Sequence, residues 1–121
     1  MSIRVLLADP DPDLLEIIDD SLSDDEFEIL TAATGPDCAE ILRRCKPDVL
    51  VMELDLPGDW SNRLLSMMRT ALEIPEVPTV ILSRFNEDQS IYLDWPSVKK
   101  FLVKPISMLV LKAGIRSAIL R

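Results

Sequence analysis

The chain has 121 residues, 48% of them apolar, and a formal charge of -8. That length suits one domain, read as spanning 1–121, with enough apolar residues for a folded core. The acidic balance excludes a general binder of nucleic acid or of an anionic membrane surface. The lack of any histidine excludes imidazole catalysis, imidazole metal ligation and service as a phosphohistidine donor.

Short apolar runs alternate with helical periodicity along the chain. Residues 5–8 read as the first strand, ended by Asp9-Pro10. The start Met1-Ser2-Ile3-Arg4 enters it directly, so no secretory leader is expected, and no apolar run approaches the about 18 residues of a membrane span. A cytoplasmic location is the expectation. Asp11-Pro12 reads as an N-cap with proline at the first helical position, and Leu15, Ile18 and Leu22 mark the helix face that follows.

The second strand is 27–31, and Cys38, Ile41, Leu42 and Cys45 mark the second helix. Seven residues on a helix separate the two thiols by about 10 Å, beyond disulfide reach, so both are expected as buried packing residues in a reducing compartment. Residues 49–52 form the third strand, which delivers Glu53 to its end before the turn at Pro57-Gly58. Leu64, Met68 and Ala71 mark the third helix, and 80–82 the fourth strand, ending at Ser83. Helical patterning over 87–94 is weak, polar at first and stopped early by Trp95-Pro96. The fifth strand is 101–103, followed by Lys104-Pro105. Ser107 can cap a last helix marked by Leu111, Ile115 and Ala118.

This alternation predicts an α/β fold with a five-stranded parallel sheet, doubly wound as (βα)5 with right-handed crossovers. Ligands in such folds gather beyond the carboxyl ends of the strands. Asp9, Glu53, Ser83 and Lys104 all fall there. Singly each reads as a solvated charge or hydroxyl at a strand end; together they read as one site.

The runs Leu6-Leu7-Ala8-Asp9-Pro10-Asp11, Val49-Leu50-Val51-Met52-Glu53, Val80-Ile81-Leu82-Ser83 and Phe101-Leu102-Val103-Lys104-Pro105 resemble the receiver domain of two-component response regulators. The resemblance covers essentially the whole chain and implies the flavodoxin-like receiver fold. In that family two consecutive acidic residues help hold Mg2+ and an aspartate after the third strand accepts a phosphoryl group. A Ser/Thr after the fourth strand contacts that group, and a lysine after the fifth ion-pairs with it. Asp9 matches the first acidic position, Ser83 the hydroxyl, Lys104 the lysine and Phe101 the aromatic whose rotamer follows the hydroxyl residue.

Two departures strike the same chemistry. Pro10 stands at the second acidic position and has no side-chain oxygen. Glu53 stands at the acceptor position, and its carboxylate is expected to project about 1.5 Å further than an aspartate's. In-line transfer loses about two orders of magnitude for a misplacement near 1 Å. The resemblance therefore implies a non-enzymatic pseudo-receiver, scarcely phosphorylated, with no cofactor or with weakened Mg2+ binding. Glu53 is expected to pair with Lys104 as a standing substitute for part of the phosphoryl charge.

The alternative is a working receiver that holds Mg2+ through Asp9, Asp11 and Glu53 and takes a phosphoryl group from a histidine kinase at Glu53 or a nearby aspartate. Asp11 keeps it open if its side chain swings to the pocket. Asp9 and Asp11 also have the Asp-x-Asp spacing of phosphohydrolases, although Pro12-Asp13 and the short chain fit that family poorly. A flavin-type cofactor is disfavoured by the carboxylates in the first loop. Asp55 reads as a solvated turn residue.

Arg84 follows Ser83 where the family usually has a small residue; it either binds Glu53 or Asp9 across the mouth or points into solvent. Trp60-Ser61 replaces the usual Asp-Gly, with Trp60 read as lying over the helix that follows or as a rim contact. Ile91, Tyr92, Leu93 and Trp95, with the last helix, are expected to form a surface for a histidine kinase, an output domain or another signalling partner. A homodimer is compatible with the sequence; direct nucleic-acid or membrane contact is not expected.

Overall fold

The computed structural model describes residues 2–70, 74–84 and 94–120. Five parallel strands form one sheet in the order β2-β1-β3-β4-β5. They are β1 (Ile3–Ala8), β2 (Phe27–Ala32), β3 (Val49–Glu53), β4 (Thr79–Ser83) and β5 (Val98–Val103). The described α-helices are α1 (Pro12–Leu22), α2 (Gly35–Cys45), α3 (Trp60–Thr70) and α4 (Met108–Ile119). The doubly wound architecture and the strand order of a receiver are thus present. Most of the weak 87–94 pattern lies outside the described residues.

Strand residues alternate between two cores, because successive side chains of a strand point to opposite faces. Leu6, Ala8, Leu50, Met52 and Ile81 pack with α2 and α3 through Cys38, Leu42, Leu64 and Met68. Val5, Leu7, Val49, Val51, Val80 and Leu82 face Leu15, Ile18, Leu111 and Ile115 of α1 and α4. A central strand buried on both sides is apolar throughout, which is why β1 and β3 are legible as continuous runs.

Elements run one to three residues beyond the apolar runs. β5 starts at Val98, not 101, and includes Lys99 and Lys100; Val98 pairs with Thr79 and Lys100 with Val80, so the register shifts at Lys99. It is an edge strand, and edge strands tolerate lysines that also discourage pairing with another chain.

The helix starts are set by side-chain caps. Asp11 Oδ1 accepts from the N–H groups of Asp13 (3.0 Å) and Leu14 (3.3 Å), with Pro12 at the first position of α1. Thr34 and Ser107 cap α2 and α4 in the same way. α2 ends on a left-handed Lys46, and Arg4 Nη1 donates to the Cys45 carbonyl at 2.8 Å.

Of the two thiols, Cys38 is fully buried and burial pushes it up to about 12, so it packs as a small hydrophobe. Cys45 differs from expectation in being only half-buried; both are free. Trp60 is half-buried against Gly35 of the preceding helix, while keeping a contact with its own helix. Arg63 stacks on its ring at 4.0 Å.

Candidate functional site

The chain leaves β1 for β2 on one side and returns to β3 on the other, so the ends of β1 and β3 flank the topological switch point. Asp9 follows β1 directly and Glu53 is the last residue of β3. Ser83 ends β4, and Lys104 follows β5, positioned by its N–H donating to the Ser83 carbonyl at 2.7 Å. The Lys104–Pro105 peptide bond is cis.

Lys104 Nζ reaches back across the strand ends and donates to Asp9 Oδ2 at 2.7 Å and to Glu53 Oε1 at 3.0 Å. The other carboxylate oxygens are engaged too: Asp9 Oδ1 accepts from the Asp11 N–H at 2.9 Å, and Glu53 Oε2 from the Leu54 N–H at 2.7 Å. All four oxygens therefore have a donor. Asp9 is 5% exposed and Glu53 3%. Burial draws the Lys104 pKa down, but hydrogen bonds and attraction from Asp9 and Glu53 outweigh it, so the ammonium is held above the ordinary lysine value.

The sequence-based expectation of a carboxylate projecting into the pocket needs correction. Glu53 folds back onto the amide of the next residue, and its extra methylene is spent in that curl. The pairing with Lys104 is present as expected.

Asp11 keeps its carboxylate on the α1 amides, and its side chain joins neither Asp9 nor Lys104. Pro10 is exposed. Ser83 is fully buried, and Phe101 is half-buried against the α2–α3 core. Asp55 is exposed, as read from the turn. Arg84 is exposed, and no hydrogen bond or ion pair ties it to Asp9 or Glu53. Its solvent-directed reading is the one the structure carries.

Ile91, Tyr92 and Leu93 lie outside the described residues. Trp95 is half-buried against the α2–α3 core, with Arg69 stacked at 4.0 Å. On α4, Leu109 is 78% exposed and Val110 49%. Among the described residues no group of three or more Cys, Asp or Glu side chains is arranged to hold a metal ion, and no helix is long and apolar enough to cross a membrane.

Ser61 was missed by sequence reasoning beyond its departure from the usual glycine. Its buried hydroxyl donates to the Glu53 carbonyl at 2.7 Å and accepts from the Leu56 N–H at 3.4 Å, tying the β3–α3 loop to the end of β3. A serine in the first turn of a helix, eight residues after a strand-end acid, was the available signal.

The sheet order, with a lysine-bridged carboxylate pair at its switch point, defines a doubly wound α/β domain of receiver type. The chain belongs to the response regulator receiver domain family, whose profile matches residues 5–116. It is a receiver domain of two-component signal transduction.

It is 30% identical over 117 residues to the sensor histidine kinase TmoS of Ectopseudomonas mendocina, covering 96% of this chain and 12% of that protein. It is 31% identical over 85 residues to protein Rrf1 of Nitratidesulfovibrio vulgaris, covering 70% of this chain and 62% of the other. The chain thus spans less than two thirds of either relative. A two-component response regulator from Clostridium difficile superposes with a TM-score of 0.85 at 23% identity, over 99% of this chain and 98% of that one, a likeness of fold. Receiver domains interact with histidine kinases in two-component systems.

Proposed function

We propose that this receiver domain works without phosphorylation, as a fixed regulatory protein–protein interaction module. The supporting observation is the closed ring of donors around Asp9 and Glu53. A carboxylate acceptor needs a free, accessible oxygen for in-line attack, and Glu53 has one oxygen on Lys104 and the other on Leu54 N–H.

The Mg2+ that the receiver fold implies does not fit this donor set. Hard divalent cations need several unencumbered oxygens. Pro10 offers none from its side chain, Asp11 is spent on the α1 cap, and the lysine ammonium bridges the two carboxylates that remain. The working-receiver reading rested on Asp11 swinging inward, and it loses that support. The phosphohydrolase reading, which needs Asp11 as acid/base, loses the same residue.

In this reading Lys104 is held permanently where a phosphoryl group would otherwise draw it. The domain therefore presents one surface instead of switching between two. It has no catalytic turnover of its own, and its partner is a histidine kinase, an output domain or a second copy. Leu109 and Val110 of α4 supply the apolar part of the contact surface.

The test is intact-mass measurement after incubation with Mg2+ and a small acyl phosphate. No gain of about 80 Da, one phosphoryl group, is expected. A stoichiometric, hydroxylamine-labile gain overturns the proposal.

A further inference from the structure

A cleft opens beside the acidic site, on the α1–α4 face of the sheet. It is a cleft of about 410 Å3, inside the range typical of small-molecule sites. Its floor is Ile18 and Leu82, each 3% exposed, and Leu14, Ile106 and Met108 wall it. These side chains are aliphatic without exception, and the unbranched Met108 adapts to irregular shapes.

Three charged residues stand at the rim, and two are already spent. The Lys104 ammonium bridges Asp9 and Glu53, and the Asp11 carboxylate is held on the N-terminal amides of α1. The third, Arg84, makes no hydrogen bond or ion pair with the described residues. A planar, permanently charged fork next to an apolar hollow selects a ligand with a carboxylate at one end and hydrocarbon at the other.

We infer that this cleft binds a small aliphatic carboxylate, with its alkyl chain over Ile18 and Leu82 and its carboxylate on the Arg84 guanidinium. The ligand lies outside the Asp9–Glu53–Lys104 ring, so the inference stands whether or not the domain is phosphorylated. Occupancy places a new anion between α1 and the loop that carries Lys104, which couples the ligand to the surface those elements present.

Amide chemical shifts of the intact chain, titrated with hexanoate, hexanamide and acetate, test this. Hexanoate is expected to give saturable shifts centred on Leu14, Ile18, Ile106 and Met108. Hexanamide, which lacks the charge, is expected to bind at least about tenfold more weakly, and Arg84→Ala to weaken hexanoate by a similar factor. Acetate, which lacks the chain, is expected to lose at least about tenfold as well. Leu14→Asp, a change at a half-exposed position, sets a carboxylate in the wall and is expected to abolish hexanoate binding. No saturation up to about 20 mM overturns the inference, as would a cleft reserved for a protein segment. Equal affinity for hexanamide, indifference to Arg84→Ala, or shifts centred elsewhere also overturn it.

Discussion

The Leu54 N–H donates at 2.7 Å to the side chain of the residue before it, Glu53 Oε2, while also donating at 2.8 Å to the Leu82 carbonyl on β4. The glutamate is thus tied into the last rung of the β3–β4 ladder. One methylene more than aspartate lets the carboxylate turn back on its own strand while its second oxygen still meets Lys104. In the proposed reading the glutamate therefore closes the site by curling, not by protruding.

In the proposed reading two separate obstacles to phosphorylation coexist, the curled acceptor and the missing ligand at Pro10. Glu53→Asp alone is expected to remain unmodified by an acyl phosphate with Mg2+. Glu53→Asp combined with Pro10→Asp is expected to gain a hydroxylamine-labile phosphoryl group, read by intact mass. Full modification of the single variant would place the whole block in the side-chain length.

Removing the cation from the ring leaves two buried carboxylates without a counter-charge. Breaking a buried pair in this way costs about 3–5 kcal/mol, far more than an exposed pair is worth. Lys104→Met is expected to lose stability in that range by urea denaturation. Glu53→Gln keeps the Asp9–Lys104 bond and is expected to cost only about 1–2 kcal/mol. Equal losses for the two variants would mean that the Glu53 contact carries most of the ring's stability.

Much of this was legible in the sequence, for a physical reason. A parallel sheet covered on both faces writes its central strands as unbroken apolar runs, and its active end is where those runs stop. Asp9, Glu53, Ser83 and Lys104 could be placed together on that basis. The start of β5 was not legible, because Lys99 and Lys100 interrupt the apolar run on an edge strand. Nor was the curl of Glu53, which is a choice of side-chain torsion and leaves no periodic trace. The Ser61 bridge and the contact of Trp60 with Gly35 depend on loop geometry, which residue spacing does not encode.

The pH dependence should be asymmetric. Lys104 is held above the ordinary lysine value, so its stabilisation is fully present below about 10.4 and is lost as pH rises through its raised folded value. At the acid end, hydrogen bonds from the Phe27 and Glu26 amides to Asp24, and from Arg116 to Glu26, hold both carboxyls below their ordinary values. Their contribution is present above the ordinary carboxylate range and disappears as pH falls through the lowered values. Both groups are exposed, so this acid effect is expected to be small and screened by salt. Melting temperature followed against pH should show a shallow, salt-sensitive acid slope and a steeper alkaline fall, and Lys104→Met should abolish the alkaline part attributable to this group.

Gly35 begins α2 under the Trp60 ring, where an added Cβ would overlap the indole. Alanine in a helix is ordinarily preferred to glycine by about 1 kcal/mol. Here the clash is expected to reverse that preference, so Gly35→Ala should destabilise by about 1–3 kcal/mol, the usual cost of overpacking. In a Trp60→Ala background the obstruction is gone, and the same change should become neutral or stabilising. A double-mutant cycle by chemical denaturation reads the change of sign directly. Destabilisation of equal size in both backgrounds would assign the cost to the backbone of α2 and remove Trp60 as the reason for glycine at this position.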